Sequence, residues 1–261
     1  MLAPIHEFVR IPLPDGGTLA GDMSYAQTTG DFAVVWVHGL GSNRGGEKAQ
    51  ALEAACSRRR WTFAAFDFRG HGQSSSTMRD MRATKLVQDL QAVQSCLRER
   101  GIGRIALVGS SMGAFAAAWF AVGMPRGVVP ACVFIAPSFS FLNRLAAGVS
   151  PAELDAWRQT RVRKFQNEWI AVELGYGLVE ERVDYPLVGL VQRWSLPTLI
   201  FHGMQDRTVP WEESVHFVQS TQRYAGALAE LRLYREGDHR LTAYKDEIAE
   251  ETCRFLARCL E

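Results

Sequence analysis

Residues 105–113, Ile105-Ala106-Leu107-Val108-Gly109-Ser110-Ser111-Met112-Gly113, decide the fold, together with the alanine-rich run that continues through Val122. A short apolar run bounded by turn residues reads as a strand buried on both faces. The alanines behind it are strong helix formers. The pentapeptide between them has the pattern Gly-x-Ser-x-Gly, which gains its meaning from lying at a strand-to-helix turn. Glycine at both flanks relieves the backbone crowding of so sharp a turn. Ser111 is then lifted above the sheet, at the positive end of the following helix.

Working outward, apolar runs alternate with helical patterns along most of the chain. Phe8–Leu13 and Thr18–Tyr25 flank Pro14-Asp15-Gly16-Gly17 and predict an antiparallel hairpin. Phe32–Val37 is a continuous apolar strand, Glu47–Arg59 a helix, and Trp61–Phe66 a strand ending at Asp67. Arg82–Arg100 predicts a helix closed by Gly101, and Val129–Ile135, Leu196–Phe201 and Ala229–Tyr234 predict three more strands. A last helix runs from about Thr242 to Leu260. Strands alternating with helices imply right-handed crossovers and an α/β domain with a mostly parallel sheet, covered on both faces.

One stretch breaks this rhythm. Residues 137–194 hold a helical segment, Pro151–Phe165, and then aromatic-rich sequence without a strand-helix unit. The expectation is one domain over residues 1–261, with 137–194 inserted as a small cap above the carboxyl edge of the sheet. Phe139, Phe141, Leu142, Trp157, Phe165, Trp169, Tyr176 and Tyr185 are candidate pocket walls. For any one of them, packing the cap onto the domain is the stronger expectation.

A serine hydroxyl needs a base within hydrogen-bond reach to act as a nucleophile. Where such a turn carries a reactive serine, the acid and then the histidine follow it in chain order, the histidine after the last strand. Of six histidines, His239 in Glu236-Gly237-Asp238-His239 has that position. His216 falls inside a predicted helix at a solvated position, and His6 precedes the core strands. The acid belongs on the loop after the preceding strand, Phe201 to Pro210, where Asp206 is the carboxylate. It would fix the tautomer of His239 and support the imidazolium. Asp67 precedes the serine, and Asp238 adjoins His239; both read as structural. Charge on the carbonyl oxygen in acyl transfer demands waiting donors. The backbone N–H of Met112 and that of Leu40, in His38-Gly39-Leu40-Gly41-Ser42-Asn43, are the candidates. His38 reads as a brace for that loop.

His38-Gly39-Leu40-Gly41, Asp67-Phe68-Arg69-Gly70-His71-Gly72-Gln73-Ser74, Gly109 to Gly113, His202 to Asp206 and Gly237-Asp238-His239 occur in that order. Together they resemble the α/β-hydrolase superfamily from about residue 31 to the end. The resemblance implies the α/β-hydrolase fold, and it implies that residues 67–74 form a structural loop in which Arg69 braces. Ser-Ser-Met-Gly at the turn, Asp206 to Trp211 and Gly237 to Leu241 are similar to the branch of acyl-protein thioesterases and acyl-glucuronide esterases with its bacterial relatives. The N-terminus lacks the transit-like character of the mitochondrial members.

Composition narrows the rest. The chain has 261 residues, 47% of them hydrophobic, with 29 Lys+Arg against 28 Asp+Glu. So balanced a charge makes no nucleic-acid footprint, and Arg58-Arg59-Arg60 reads as a solvated helix end. Five irregularly spaced cysteines argue for a reducing compartment. No signal-peptide pattern and no apolar run of about 18 residues is visible, so a cytoplasmic protein without a membrane span is expected. No metal cluster or phosphate loop is seen, and no cofactor is expected. The favoured reading is hydrolysis of a small-molecule ester or thioester with an apolar acyl group, through an acyl-enzyme on Ser111. The alternatives are an aminopeptidase-like serine peptidase, anchored by one of Glu168, Glu173, Glu180 or Glu181, and a small-molecule receptor with little turnover.

Overall fold

The computed structural model describes residues 5–25, 30–166, 170–225 and 228–260. An eight-stranded sheet forms its centre, in the order β1-β2-β4-β3-β5-β6-β9-β10. The strands are β1 (Ile5–Pro12), β2 (Thr18–Tyr25), β3 (Phe32–Val37), β4 (Thr62–Phe66), β5 (Arg104–Ser110), β6 (Cys132–Ile135), β9 (Thr198–Gly203) and β10 (Ala229–Tyr234). β2 runs antiparallel to β1 and β4, and every other neighbour is parallel. The chain is therefore an α/β protein built on a mostly parallel sheet.

Alternate residues of each buried strand supply two cores. Ala33, Val35, Val37, Leu107, Phe134 and Ile200 face the layer of α2 (Ala83–Glu99), α3 (Met112–Val122), α7 (Leu187–Arg193) and α8 (Glu212–Ala225). Val34, Trp36, Val108, Val133, Leu199 and Phe201 face α1 (Glu47–Arg58) and α9 (Lys245–Leu260). Period-two alternation with both faces apolar is what a continuous apolar run gives in a sheet covered on both sides. α3 lies along the sheet with Met112 to Ala121 all buried, so it has no polar face at all.

Between β6 and β9 the chain departs from the predicted elements. The helix that the sequence suggested over Pro151–Phe165 stops at Thr160 as α5 (Pro151–Thr160), because Arg161 turns left-handed at φ 63°. Its start is secured by a capping box between Ser150 and Glu153. The remainder forms an antiparallel hairpin of β7 (Val162–Gln166) and β8 (Ala171–Gly175), which sequence reading missed. Helices α4 (Phe141–Ala147) and α6 (Gly177–Glu180) flank it. The strand expected over Val129–Ile135 is also shorter, since Pro130 lacks the N–H a ladder needs.

Candidate active site

β5 ends at Ser110 and α3 begins at Met112, which leaves Ser111 alone to make the turn, at φ 53° and ψ −116°. A non-glycine residue there is strained and must be held by its surroundings. Its N–H donates to the Ile135 carbonyl (3.0 Å), and its own carbonyl accepts from Ala114 (3.0 Å) and Ser138 (3.3 Å). Close packing under the turn explains the flanking glycines. A Cβ on Gly113 would lie 2.1 Å from the Val37 oxygen, and one on Gly109 would lie 2.7 Å from the Ala114 Cα.

Three side chains from three loops meet above this turn. His239 Nε2 lies 3.1 Å from Ser111 Oγ, and His239 Nδ1 lies 2.7 Å from Asp206 Oδ2. The Asp206 side chain is fully buried, while His239 keeps 19% of its side chain exposed. The other oxygen of Asp206, Oδ1, accepts the backbone N–H groups of Thr208 and Val209 at 2.8 Å each. Burial opposes ionisation of this carboxyl. Hydrogen bonds from His202 and His239, the His239 charge and the Val209 N–H outweigh it and hold the group well below the ordinary carboxylate range. A carboxyl with a lowered folded-state pKa stabilises the fold fully above its unfolded value, about 3.9, and loses that contribution as pH falls below it. The melting-temperature gap between the wild type and Asp206→Asn is therefore expected to be full at pH 6 and to shrink below about pH 4. A gap that stays constant over a melting series across that range would contradict this.

Sequence reading gave His202 no role, yet it sits at the end of β9, fully buried, with Nε2 3.0 Å from the same Oδ2. The signal was the spacing of four residues between His202 and Asp206 on one tight loop. His38 and His71 brace the neighbouring loops. His38 Nε2 accepts from Phe68 N (3.0 Å) while Nδ1 donates to the Gly39 carbonyl (2.8 Å). Burial and the adjacent His71 push its pKa down to about 3, so the ring stays neutral. His71 Nε2 accepts from Gly41 N at 3.2 Å, beside the loop that carries Leu40. Asp67 accepts from Arg44 N (2.8 Å) and Gln73 N (3.0 Å), and Asp238 accepts from Leu241 N (2.8 Å). Arg69 is buried against Asp89, Nε to Oδ1 at 2.6 Å. His6 pairs with Ser24 Oγ at 2.9 Å, and His216 is exposed on α8.

A cavity of about 710 Å³ opens over Ser111 and His239. Leu40, Phe141, Leu145, Phe165, Ile170 and Val209 form its apolar wall. Leu40 therefore lines it, and Met112 N opens α3, where the first N–H groups have no intrahelical acceptor. Lys48 also lines the cavity, its Nζ donating to the Arg240 carbonyl at 2.6 Å. Burial and the nearby Arg240 lower its pKa to about 8.

Of the expected wall residues, Phe141 and Phe165 face the cavity. The other described ones pack elsewhere. Phe139 stacks on Phe217 at 3.9 Å, Trp157 meets Tyr176 at 5.7 Å, Tyr185 packs on Trp119, and Leu142 is core. Trp169 and Glu168 lie outside the described residues. Glu173 pairs with Arg79, Glu180 with Arg161, and Glu181 accepts from Thr84 N, none of them lining the cavity. Among the described residues no group of His, Cys, Asp and Glu could hold a metal ion, and no helix is long and apolar enough to cross a membrane.

Residues 33–196 match the family described as alpha/beta hydrolase fold. A palmitoyl-protein thioesterase, mitochondrial ABHD10 of Bos taurus, is 25% identical over 220 residues, covering 82% of this chain and 68% of that protein. The solved structure of alpha/beta hydrolase domain-containing protein 10 from mouse superposes with a TM-score of 0.80 at 20% identity, covering 98% of this chain and 100% of that one. Est1E from Butyrivibrio proteoclasticus, solved with ferulic acid bound, gives a TM-score of 0.78 at 19% identity, over 95% and 99% of the two chains. A turn that strains one serine above a parallel sheet, a histidine and a buried aspartate meeting it there, and a family match over residues 33–196 lead to one assignment: this chain belongs to the alpha/beta hydrolase fold family.

Proposed function

We propose that the protein is a serine hydrolase of carboxylic esters or thioesters with an apolar acyl group. The observation that carries this reading is the unbroken chain from Ser111 Oγ through His239 to Asp206, opening onto a cavity with one apolar wall. Ser111 Oγ attacks the carbonyl carbon as His239 Nε2 takes its proton. The resulting oxyanion faces the N–H groups of Met112 and Leu40. Collapse expels the alcohol or thiol, which takes the proton back from His239, and leaves an acyl group on Ser111. Water, deprotonated by the same imidazole, then releases the acid and restores the enzyme.

The relatives named as thioesterase and the structure holding ferulic acid support a carbonyl substrate of this class. Of the four candidate anchors of the peptidase reading, Glu173, Glu180 and Glu181 lie away from the cavity, and Glu168 lies outside the described residues. A cavity of this size is in the range of roughly 300–1,000 Å³ usual for small-molecule sites. Steady-state turnover on p-nitrophenyl esters and matched acyl thioesters, from acetyl to palmitoyl, is expected to rise beyond acetyl as methylenes reach Phe141, Leu145 and Phe165. No turnover on any ester or thioester would overturn the reading. Labelling of Ser111 by a fluorophosphonate without turnover would point to a receptor instead.

A further inference from the structure

Asp206 Oδ2 is shared by two imidazoles, one of which has no place in the reaction just described. His239 Nδ1 lies 2.7 Å from it and His202 Nε2 lies 3.0 Å from it. His202 is fully buried, so it meets neither solvent nor substrate. Its protonation pattern follows from its neighbours. Nε2 faces Oδ2 and the Val209 carbonyl (3.2 Å), and both can only accept, so Nε2 carries the hydrogen. In the neutral ring Nδ1 is then an acceptor, and the Ser214 hydroxyl, 2.7 Å away and itself buried, donates to it. Ser214 stands on α8, so a helix of the core fixes the ring's orientation.

Carboxylate geometry gives the pairing a consequence. An ionised carboxylate offers about four acceptor positions. Thr208 N and Val209 N take Oδ1, and the two histidines take Oδ2. Each donor on Oδ2 draws charge that would otherwise support the His239 imidazolium. The second donor also prevents Oδ2 from swinging away from the base. We propose that His202, oriented by Ser214, is a positioning residue that holds Oδ2 against His239 and divides the charge of that oxygen between the two rings. The inference rests on the proposed hydrolase reading for its kinetic side. The geometry of the network stands independently of it.

Among the described residues, the charged groups facing this network are few. Glu213 of α8 accepts the Ser140 N–H at 2.8 Å, and Arg144 of α4 reaches the Thr208 carbonyl. On the His239 side stand Asp238, Arg240 and Lys48, the last held by the Arg240 carbonyl. None of them touches Oδ2, so a change at His202 reaches His239 through the shared oxygen.

The test compares His202→Phe, which keeps a ring and removes the donor, with His202→Gln, which restores an N–H, and with Ser214→Ala, which frees the ring. Partners that orient metal ligands from behind typically cost about 10-fold to 100-fold when removed, and a loss toward the lower end is expected for a partner of Asp206. For His202→Phe, kcat on the best ester is expected to fall about 10-fold with KM little changed, and His202→Gln should recover most of the loss. The decisive reading is the titration of His239, followed by its imidazole proton shifts in NMR, which requires no turnover. The midpoint should move up by about half a pH unit or more in His202→Phe, because Asp206 then serves His239 alone. It should move in the same direction by less in Ser214→Ala, and return in His202→Gln. An unmoved midpoint in His202→Phe and Ser214→Ala would overturn the proposal and make His202 a packing residue only. If His202→Phe does not fold, Ser214→Ala against wild type decides the matter alone. Absence of turnover with a shifted midpoint would overturn the hydrolase reading and leave this inference standing.

Discussion

Ser111→Ala is expected to abolish measurable ester turnover, a loss of roughly 10⁴-fold or more, while leaving the fold and the melting temperature nearly unchanged. The size follows from what is removed. Without Oγ there is no atom 3.1 Å from His239 Nε2 to attack a carbonyl, so the covalent route closes. His239→Ala should be as severe, since the hydroxyl then has no base. The effects should not add in the double variant, because the two residues act as one unit. Side-by-side progress curves of the wild type, both single variants and the double variant on one p-nitrophenyl ester check this. Residual turnover above about a hundredth of wild type in Ser111→Ala would place the reacting group elsewhere. The fold survives because alanine is smaller than serine and keeps the main chain whose hydrogen bonds to Ile135, Ala114 and Ser138 hold the turn.

Gly113→Ala is expected to do the opposite, removing activity by removing the fold. Its new Cβ would stand 2.1 Å from the Val37 oxygen and 2.5 Å from the His38 oxygen. Both are backbone atoms of the central strand β3 and the loop leaving it, so no side chain can rotate away. Either α3 lifts off the sheet or β3 leaves its ladder with β5. Overpacking a core usually costs about 1–3 kcal/mol, and a clash with fixed backbone belongs at or above the top of that range, about 4 kcal/mol. Since domains of this size are stable by only about 5–15 kcal/mol, soluble yield and melting temperature should drop sharply. Gly30→Ala is a fair control, having no atom within 4 Å of its Cβ position. A Gly113→Ala protein that melts within a few degrees of the wild type would show that the helix does not need this approach.

The elements themselves were legible where burial is uniform. Phe32–Val37 and Ile105–Val108 are apolar without interruption because both sheet faces are covered, and their strands lie where the runs predict them, with β5 extending to Ser110. Chain order, together with the two loops that end β9 and follow β10, was enough to pick out Asp206 and His239, and the structure brings both to Ser111. Between residues 137 and 194 this logic failed for a physical reason. Short elements there pack on one another and on α3 and α8, so no long apolar period marks them. The left-handed Arg161 that ends α5 and starts the β7–β8 hairpin carries no glycine to announce it.

By itself, then, the sequence determined the alternation of strands and helices, the sharp turn at Ser111 and the identity of its two candidate partners. These depend on local periodicity, turn chemistry and order along the chain. Only the tertiary structure decided which aromatic residues face the cavity and which are core, since apolar side chains in both settings obey the same preference for burial. It alone decided that His202 shares Oδ2 of Asp206 with His239, and that Ser214 orients it. Those contacts join β9, α8 and the loop after β10, and hydrogen bonds act over about 3 Å, a distance that only folding brings about.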